Sequence, residues 1–294
     1  MITKDRIIFN GQLAKKKDIA LNLDNRGFRY GDGIFETIRM FDGKLPFLEN
    51  HINRLQKGID FLDLDLSIAR HGIDFWRFEI RRIVKYYRQK YPKQAKNYRL
   101  RLAIFRNDGG FYTPKTSKAS YILELSPLEK SKFEWNKKGV KIDIFNNIRL
   151  SNDKLSNLKT SNGLPYVLAA LHKNKHDLDD CLLLNGNGNI AESIHSNIFI
   201  VKENKLITPD LNQGCTAGTT RQTILQIAKT MKMEVIEESC SVESLADASE
   251  IFLTNAIRGI QWVGSFRKKT YENIISKKIH KQLNKIVKQS TITI

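Results

Sequence analysis

Two hydrophobic periods alternate along the chain, and each predicts a different element. Arg6-Ile7-Ile8-Phe9 is a short apolar run ended by Asn10-Gly11, which reads as a strand entering a turn. Ile34 to Phe41 is a longer run before Asp42-Gly43, a second strand and turn. From His51 the period lengthens: Ile52, Leu55, Ile59 and Leu62 fall on one face of a helix. Residues 72–91 predict a second amphipathic helix, rich in Arg and Lys, and Arg99 to Phe105 alternates like a strand. Asn107-Asp108-Gly109-Gly110 and the polar run from Pro114 to Lys118 interrupt the pattern, so about 107–120 reads as a hinge between two lobes.

Beyond the hinge, strands are predicted at Tyr121–Leu125 and Val140–Phe145, and a helix over 164–176. Leu182-Leu183-Leu184 reads as a buried strand stopped by Asn185-Gly186-Asn187-Gly188. Asn197 to Val201 and Lys205 to Thr208 form a hairpin through Glu203-Asn204. A helix follows from Thr219 to Met231, then a buried strand from Glu250 to Thr254. Ile275, Ile279 and Leu283, one turn apart in the basic tail, predict a terminal helix packed on the body. Strands outnumber helices in both halves, so the expected class is α+β, with a smaller domain over 1–115 and a larger one over 121–294. No G-x-G-x-x-G follows a strand, which argues against a dinucleotide fold.

With 294 residues, 41% apolar, the chain has enough material for a real core. Cys181, Cys215 and Cys240 are too few and too scattered for a disulfide framework or a zinc site, and no metal is expected. The start, Met1 to Arg6, has no apolar h-region, and no run of eighteen apolar residues occurs. The expectation is a cytoplasmic protein with no membrane span. A net charge of +18 keeps a nucleic-acid-binding role as a remote alternative. Against it, Lys and Arg are spread along the whole chain and no nucleic-acid-binding motif stands out, so no nucleic acid is expected. A basic surface equally suits a small amino substrate that carries carboxylates.

Four places hold candidate chemistry. Lys159 lies in Ser156-Asn157-Leu158-Lys159-Thr160-Ser161-Asn162, a polar run between a strand region and a helix. Alone it is one lysine among many. A fixed, partly desolvated lysine at such a strand end is suited to a Schiff base. Glu192, after a turn, has the carboxylate that would keep a pyridine nitrogen protonated, though a lone Glu there is more simply an exposed charge. Gly218-Thr219-Thr220-Arg221 opens a helix with small and hydroxyl residues, either an anion site or an ordinary N-cap. Arg54, on the first helix, is a second possible phosphate ligand.

These segments together resemble the class IV aminotransferases, the fold type IV pyridoxal-phosphate enzymes that include D-amino-acid aminotransferases. Arg26-Gly27-Phe28-Arg29-Tyr30-Gly31-Asp32-Gly33-Ile34-Phe35-Glu36-Thr37 is similar to the N-terminal motif, and His51-Ile52-Asn53-Arg54-Leu55 to the segment whose arginine binds the cofactor phosphate. Glu192 to Phe199, Leu206-Ile207-Thr208 and Gly218 to Arg221 resemble the signature, with Thr219 in place of the usual aliphatic residue. The resemblance runs from about Asn10 to Phe266. It implies a two-lobed α+β subunit, pyridoxal 5'-phosphate (PLP) on Lys159 of the larger domain, and a homodimer. It further implies Arg54, Glu192, Asn197, Gly218, Thr219 and Thr220 as cofactor ligands. Tyr30, Thr37, Arg106, Ala256 and Ile257 are implied as substrate-binding.

Three positions separate the members. Thr37 stands where branched-chain aminotransferases usually have glycine and the 4-amino-4-deoxychorismate lyases have threonine. Leu164 stands where branched-chain enzymes usually place tyrosine. Arg106-Asn107-Asp108-Gly109-Gly110 resembles a stretch of the lyases, with Arg106 placed to pair with a substrate carboxylate. These tilt the expectation toward a lyase of folate biosynthesis that gives 4-aminobenzoate and pyruvate, with Thr37 beside Lys159 as catalytic. A branched-chain or D-amino-acid aminotransferase is the alternative.

Overall fold

The computed structural model describes residues 5–66, 72–91 and 96–293. The first four residues of the expected N-terminal domain, Met1 to Lys4, lie outside them. Two compact units are present: Met1–Lys132 with Leu158–Asn162 and Gln289–Ile294, and Phe133–Asn157 with Gly163–Lys288.

The first unit runs β1 (Arg6–Phe9), β2 (Gln12–Lys15), α1 (Arg26–Tyr30), β3 (Gly33–Met40), α2 (Leu48–Phe61), α3 (Gly72–Lys90), β4 (Asn97–Arg106) and β5 (Ala119–Leu128). Asn10 and Gly11 both take positive φ, which matches the right-handed twist of the β1–β2 hairpin. The strands form one sheet in the order β2-β1-β5-β4-β3. Alternation decides its two faces. Ile34, Ile38, Leu100, Leu102, Ile104, Tyr121, Leu123 and Leu125 pack in one core with Ile52, Leu55 and Ile59 of α2 and Trp76, Ile80 and Ile83 of α3. Truncating Leu102 to Ala in this core costs about 2–5 kcal/mol.

The second unit runs β6 (Val140–Leu150), α4 (Leu164–Lys175), β7 (Asp180–Asn185), β8 (Ile190–Ser193), β9 (Asn197–Lys202), β10 (Lys205–Pro209), α5 (Thr219–Thr230), β11 (Val235–Glu238), α6 (Ser244–Asp247), β12 (Glu250–Asn255), β13 (Gly259–Phe266), β14 (Lys269–Thr270) and α7 (Ile274–Gln289). Its mixed sheet has the order β11-β10-β9-β12-β13-β6-β7-β8, with β14 on β13. The class is α+β, as the order of elements predicts. α7 buries Ile279 and Leu283, as expected of the basic tail, together with Val287, while Ile275 is only half-buried. No described helix is long and apolar enough to cross a membrane.

The boundary between the units differs from the sequence expectation in two ways. Residues 107–118 are a hairpin connection, because β5 pairs with β4 along its whole length, from Asn97↔Leu128 to Arg106↔Ala119. Gly109 and Gly110, with φ of 116° and 77°, turn the chain back into the same sheet. The strand Tyr121–Leu125 therefore completes the first unit and does not begin the second. The lysine segment also returns to the first unit. Phe35 N donates to Lys159 O at 2.9 Å and Ser161 N to Gly33 O at 2.9 Å, which lays Leu158–Asn162 along β3.

Candidate active site

The lysine and its neighbours are set by the alternation of β3. Ile34, Glu36 and Ile38 face the helices, so Phe35 and Thr37 face the other side of the sheet. Lys159 Nζ lies 4.7 Å from the centre of the Phe35 ring. Arg101 packs on the same ring at 3.9 Å and is the cross-strand partner of Thr37. An amine, a hydroxyl, a guanidinium and an aromatic ring thus share one face of the first unit. Burial, with the nearby charge of Arg99, pulls Arg101 below the ordinary arginine range, against the opposing effect of Glu124. Arg101 also lines a cavity of about 140 Å³ with Arg6, Lys16, Arg99, Glu124 and Ser126. Lys16 pairs with Glu124 at 2.6 Å, so Arg6, Arg99 and Arg101 leave this cavity, which Ile7 and Leu125 also line, net cationic.

Tyr30 ends α1. Asn25 caps that helix by accepting from Phe28 N at 3.0 Å, and Gly31 closes it with φ 63°. A Cβ on Gly31 would sit 2.3 Å from Asn162 Oδ1, so only glycine lets α1 approach the lysine segment. Tyr30 packs against Tyr112 at 5.5 Å and under Arg26 at 5.0 Å.

On the opposite face, Arg54 is the ion-pair partner of Glu36. Its Nε and Nη2 reach Oε1 and Oε2, each at 2.7 Å, and His51 Nδ1 meets Oε2 at 2.7 Å. Burial pushes the Glu36 carboxyl up, but Arg54 and His51 outweigh it and bring it down to about 2. Any phosphate contact by Arg54 therefore falls to the rest of its guanidinium.

Arg106 departs from expectation. It is 7% exposed, and its Nε donates to Asp32, its Nη1 to Asp63 O and its Nη2 to Leu62 O. All three nitrogens tie the end of β4 to neighbouring loops. Arg101, one of the alternating residues of the strand Arg99–Phe105, shares a face with Lys159 and packs on the same Phe35 ring. Sequence reading missed it because a basic residue on an alternating strand looks like any solvated charge.

The second unit holds a separate constellation. Glu192 on β8 is 4% exposed, and three donors converge on its carboxylate. Tyr166 Oη donates to Oε1 at 2.7 Å, Thr216 Oγ1 to Oε1 at 3.0 Å and Thr216 N to Oε2 at 3.0 Å. Neither Tyr166 nor Thr216 stood out in the sequence, since the Leu158–Asn162 motif ends before one and the Gly218 motif begins after the other. Asn197 holds the same loop: its Nδ2 donates to Thr216 O at 2.8 Å, and Gly218 packs so tightly that a Cβ would lie 1.9 Å from Asn197 Oδ1. Asn197 thus works on the loop that carries Thr216. Asn157 adds a further clamp, donating to Leu211 O at 2.8 Å and Cys215 O at 2.9 Å.

Gly218 precedes α5 with extended backbone, and no side chain caps the helix. Thr219 and Thr220, both buried, form its first turn. Arg221 is turned away from that end, donating to Pro209 O at 2.9 Å and Glu237 at 2.7 Å. Ala256 and Ile257 follow β12 in a turn shaped by Asn255, whose Oδ1 accepts from Ile257 N at 3.0 Å and whose Nδ2 donates to Ser196 Oγ at 2.9 Å. β12 runs beside β9, with Thr254 opposite Asn197.

Taken unit by unit, the half-buried lysine of the first suits an aldehyde, and the donor-held carboxylate and uncapped helix start of the second suit a pyridine nitrogen and a phosphate, the groups PLP carries. The chain belongs to the class IV amino-transferase family, whose sequence model matches residues 33–266. It is a PLP-dependent enzyme of that family. Over 252 residues it is 29% identical to a Methanocaldococcus jannaschii protein provisionally named a branched-chain-amino-acid aminotransferase, covering 85% of this chain and 83% of that one. Over 253 residues it is 28% identical to the aminodeoxychorismate lyase of Bacillus subtilis, with coverage of 85% and 83%. Its fold is that of the branched-chain aminotransferase of Thermoproteus uzoniensis, with TM-score 0.85, 21% identity and coverage of 97% and 96%. It is also similar to the 4-amino-4-deoxychorismate lyase of Pseudomonas aeruginosa, with TM-score 0.80, 26% identity and coverage of 95% and 98%.

Proposed function

We propose that the enzyme is a 4-amino-4-deoxychorismate lyase, cleaving its substrate to 4-aminobenzoate and pyruvate on the way to folate. The observation that carries this reading is the pairing of Thr37 with Arg101 on the face that holds Lys159. A hydroxyl and a cation there suit a carboxylated ring with an oxygen-linked leaving group, and they suit a leucine side chain poorly. The likeness to two proteins named as this lyase supports it.

Bound PLP supplies an aldehyde for amines and a ring that draws electrons from the amine-bearing carbon. Lys159 would hold the cofactor, and its amine would be the base that takes a proton from the amine-bearing carbon of the substrate. Glu192 keeps a proton at the pyridine nitrogen. Gly218, Thr219 and Thr220 offer the start of α5 to the phosphate, with Arg54 as a second anchor. Arg101 orients a substrate carboxylate, and Thr37 hydrogen-bonds at the departing enolpyruvate oxygen. Tyr30, Ala256 and Ile257 line the substrate's place.

We place the enzyme in the cytoplasm as a homodimer. Leu23, Phe28, Phe111 and Tyr112 of the first unit are largely exposed, Tyr112 at 90%, and a second copy would cover them. Sedimentation at micromolar concentration tests the dimer.

Incubation with aminodeoxychorismate should yield 4-aminobenzoate and pyruvate in equal amounts. A panel of L- and D-amino acids with 2-oxoglutarate runs beside it. The Methanocaldococcus relative's name favours branched-chain transamination as the second reading. Fast transamination of leucine with no 4-aminobenzoate would replace the lyase reading by that one.

A further inference from the structure

We infer that Tyr166 is a positioning residue, which fixes Glu192 as the anion and so sets where the proton at the pyridine nitrogen rests. The inference rests on the reading of Glu192 as the partner of that nitrogen, and is independent of whether the enzyme is a lyase or a transaminase.

The geometry points this way. Glu192 is buried, and a carboxylate removed from water needs donors to remain charged. Thr216 supplies two, one to each oxygen, from a loop clamped by Asn157 and Asn197. Tyr166 supplies the third and shortest, 2.7 Å to Oε1. The two donor groups come from unlike sources. Thr216 sits in the loop before α5, whereas Tyr166 sits in the first turn of α4, the helix that follows the lysine segment in the chain.

Tyr166 is suited to donate to Glu192. Burial first, then the charge of Glu192, push its hydroxyl far above the usual phenol range. It therefore keeps its proton at any working pH. Its ring packs beside the core of Phe145, Ala169 and Leu183, so the hydroxyl is held in one place.

The consequence follows from competition for one proton. Each donor to Glu192 lowers the carboxylate's basicity, and the proton between Glu192 and the ring nitrogen then rests on the nitrogen. Without the Tyr166 hydroxyl, Oε1 retains Thr216 Oγ1 but loses its strongest partner, and the proton moves toward the carboxylate. A carboxylate that is neutral at that moment no longer favours the charged ring.

The test compares wild type, Tyr166→Phe and Glu192→Gln, each reconstituted with PLP labelled with 15N at the ring. The nitrogen signal of wild type should report a protonated ring. Glu192→Gln should move it to the unprotonated position, and Tyr166→Phe should move it part of the way. kcat should fall between about tenfold and a hundredfold in Tyr166→Phe, the scale for a hydrogen bond to a charged group, with KM nearly unchanged. Adding Thr216→Val to Tyr166→Phe should complete the shift of the nitrogen signal. A Tyr166→Phe protein with the wild-type signal and rate, beside a shifted Glu192→Gln signal, overturns the inference and leaves Glu192 in its role. An unshifted signal in Glu192→Gln overturns both. Circular dichroism and a melting curve confirm that Tyr166→Phe, which keeps the ring and its packing, is folded.

Discussion

Thr37 and Arg101 are cross-strand partners, and the guanidinium of Arg101 lies on the Phe35 ring that also meets the amine of Lys159. The order of these contacts gives the site a direction. The lysine stands at one side of the ring, and the cation marks where a carboxylate would be drawn. Arg99, Arg6 and Lys16 extend the positive field around the adjoining cavity.

Arg101→Leu should thus discriminate by substrate. Losing a charge-assisted hydrogen bond costs about 1.5–3 kcal/mol, roughly 10- to 150-fold in kcat/KM for a carboxylated substrate. Activity on a neutral amino acid should hold or rise. Kinetics with glutamate, aminodeoxychorismate and leucine check this, and an equal loss on all three would make Arg101 a merely structural residue.

In the proposed function Lys159 carries the covalent chemistry. Borohydride should fix the cofactor to it, and peptide mass spectrometry should find the label on that residue alone. Lys159→Ala should abolish turnover yet retain weak, dialysable PLP, because the start of α5 and the Glu192 cluster remain. A label on another lysine would refute the assignment.

Glu36 gives the protein an acid-sensitive joint. Its folded carboxyl lies at about 2, below its unfolded value of 4.5, so its contribution is present above 4.5 and is lost as pH falls toward 2. The difference corresponds to about 3 kcal/mol. Urea unfolding of Glu36→Gln should show lower stability at neutral pH, since Arg54 and His51 lose their anion. Its loss of stability between pH 5 and 2 should be shallower than that of wild type by about that amount.

Much of this fold was legible because period and turn chemistry agree. The strands at Ile7 and Ile34 and the helices from His51 and Thr219 all formed where their spacing put them. What escaped was nonlocal. The Gly109-Gly110 turn reads as a hinge or a hairpin alike, and only the register of β4 with β5 decides. Lys159 lies along β3 through backbone bonds that no side-chain pattern encodes. Arg106 and Arg101 are equal as letters. One is enclosed by Asp32 and two carbonyls, and the other is left on the open face by the parity of the strand.

Gly218→Ala tests whether the loop before α5 is one device. The added methyl would meet Asn197 Oδ1 at 1.9 Å, so Asn197 has to swing away and release Thr216 O. Thr216 would then hold Glu192 less firmly. The expected outcome is a PLP dissociation constant raised by about tenfold, since one hydrogen bond to a charged group is at stake, with little change in melting temperature of the apoprotein. Unchanged PLP affinity, measured by absorbance titration, would mean that the loop absorbs the methyl without moving.

Thr37→Gly addresses the choice between lyase and transaminase most directly. Its hydroxyl sits opposite Arg101 on the face that bears Lys159, so in the lyase reading it reaches the oxygen that leaves with enolpyruvate. That oxygen gains negative charge only as its bond to the ring breaks, so the hydrogen bond strengthens mainly in the transition state. Removing it should lower kcat by about tenfold or more while KM changes little. Glycine in a strand interior costs stability, about 1 kcal/mol, which a melting curve will separate from the kinetic effect. The space opened next to Phe35 should admit an aliphatic side chain, so transamination of leucine or isoleucine should rise. If wild type already transaminates those amino acids rapidly and Thr37→Gly alters only KM, the hydroxyl is a wall of the pocket and the enzyme is a transaminase.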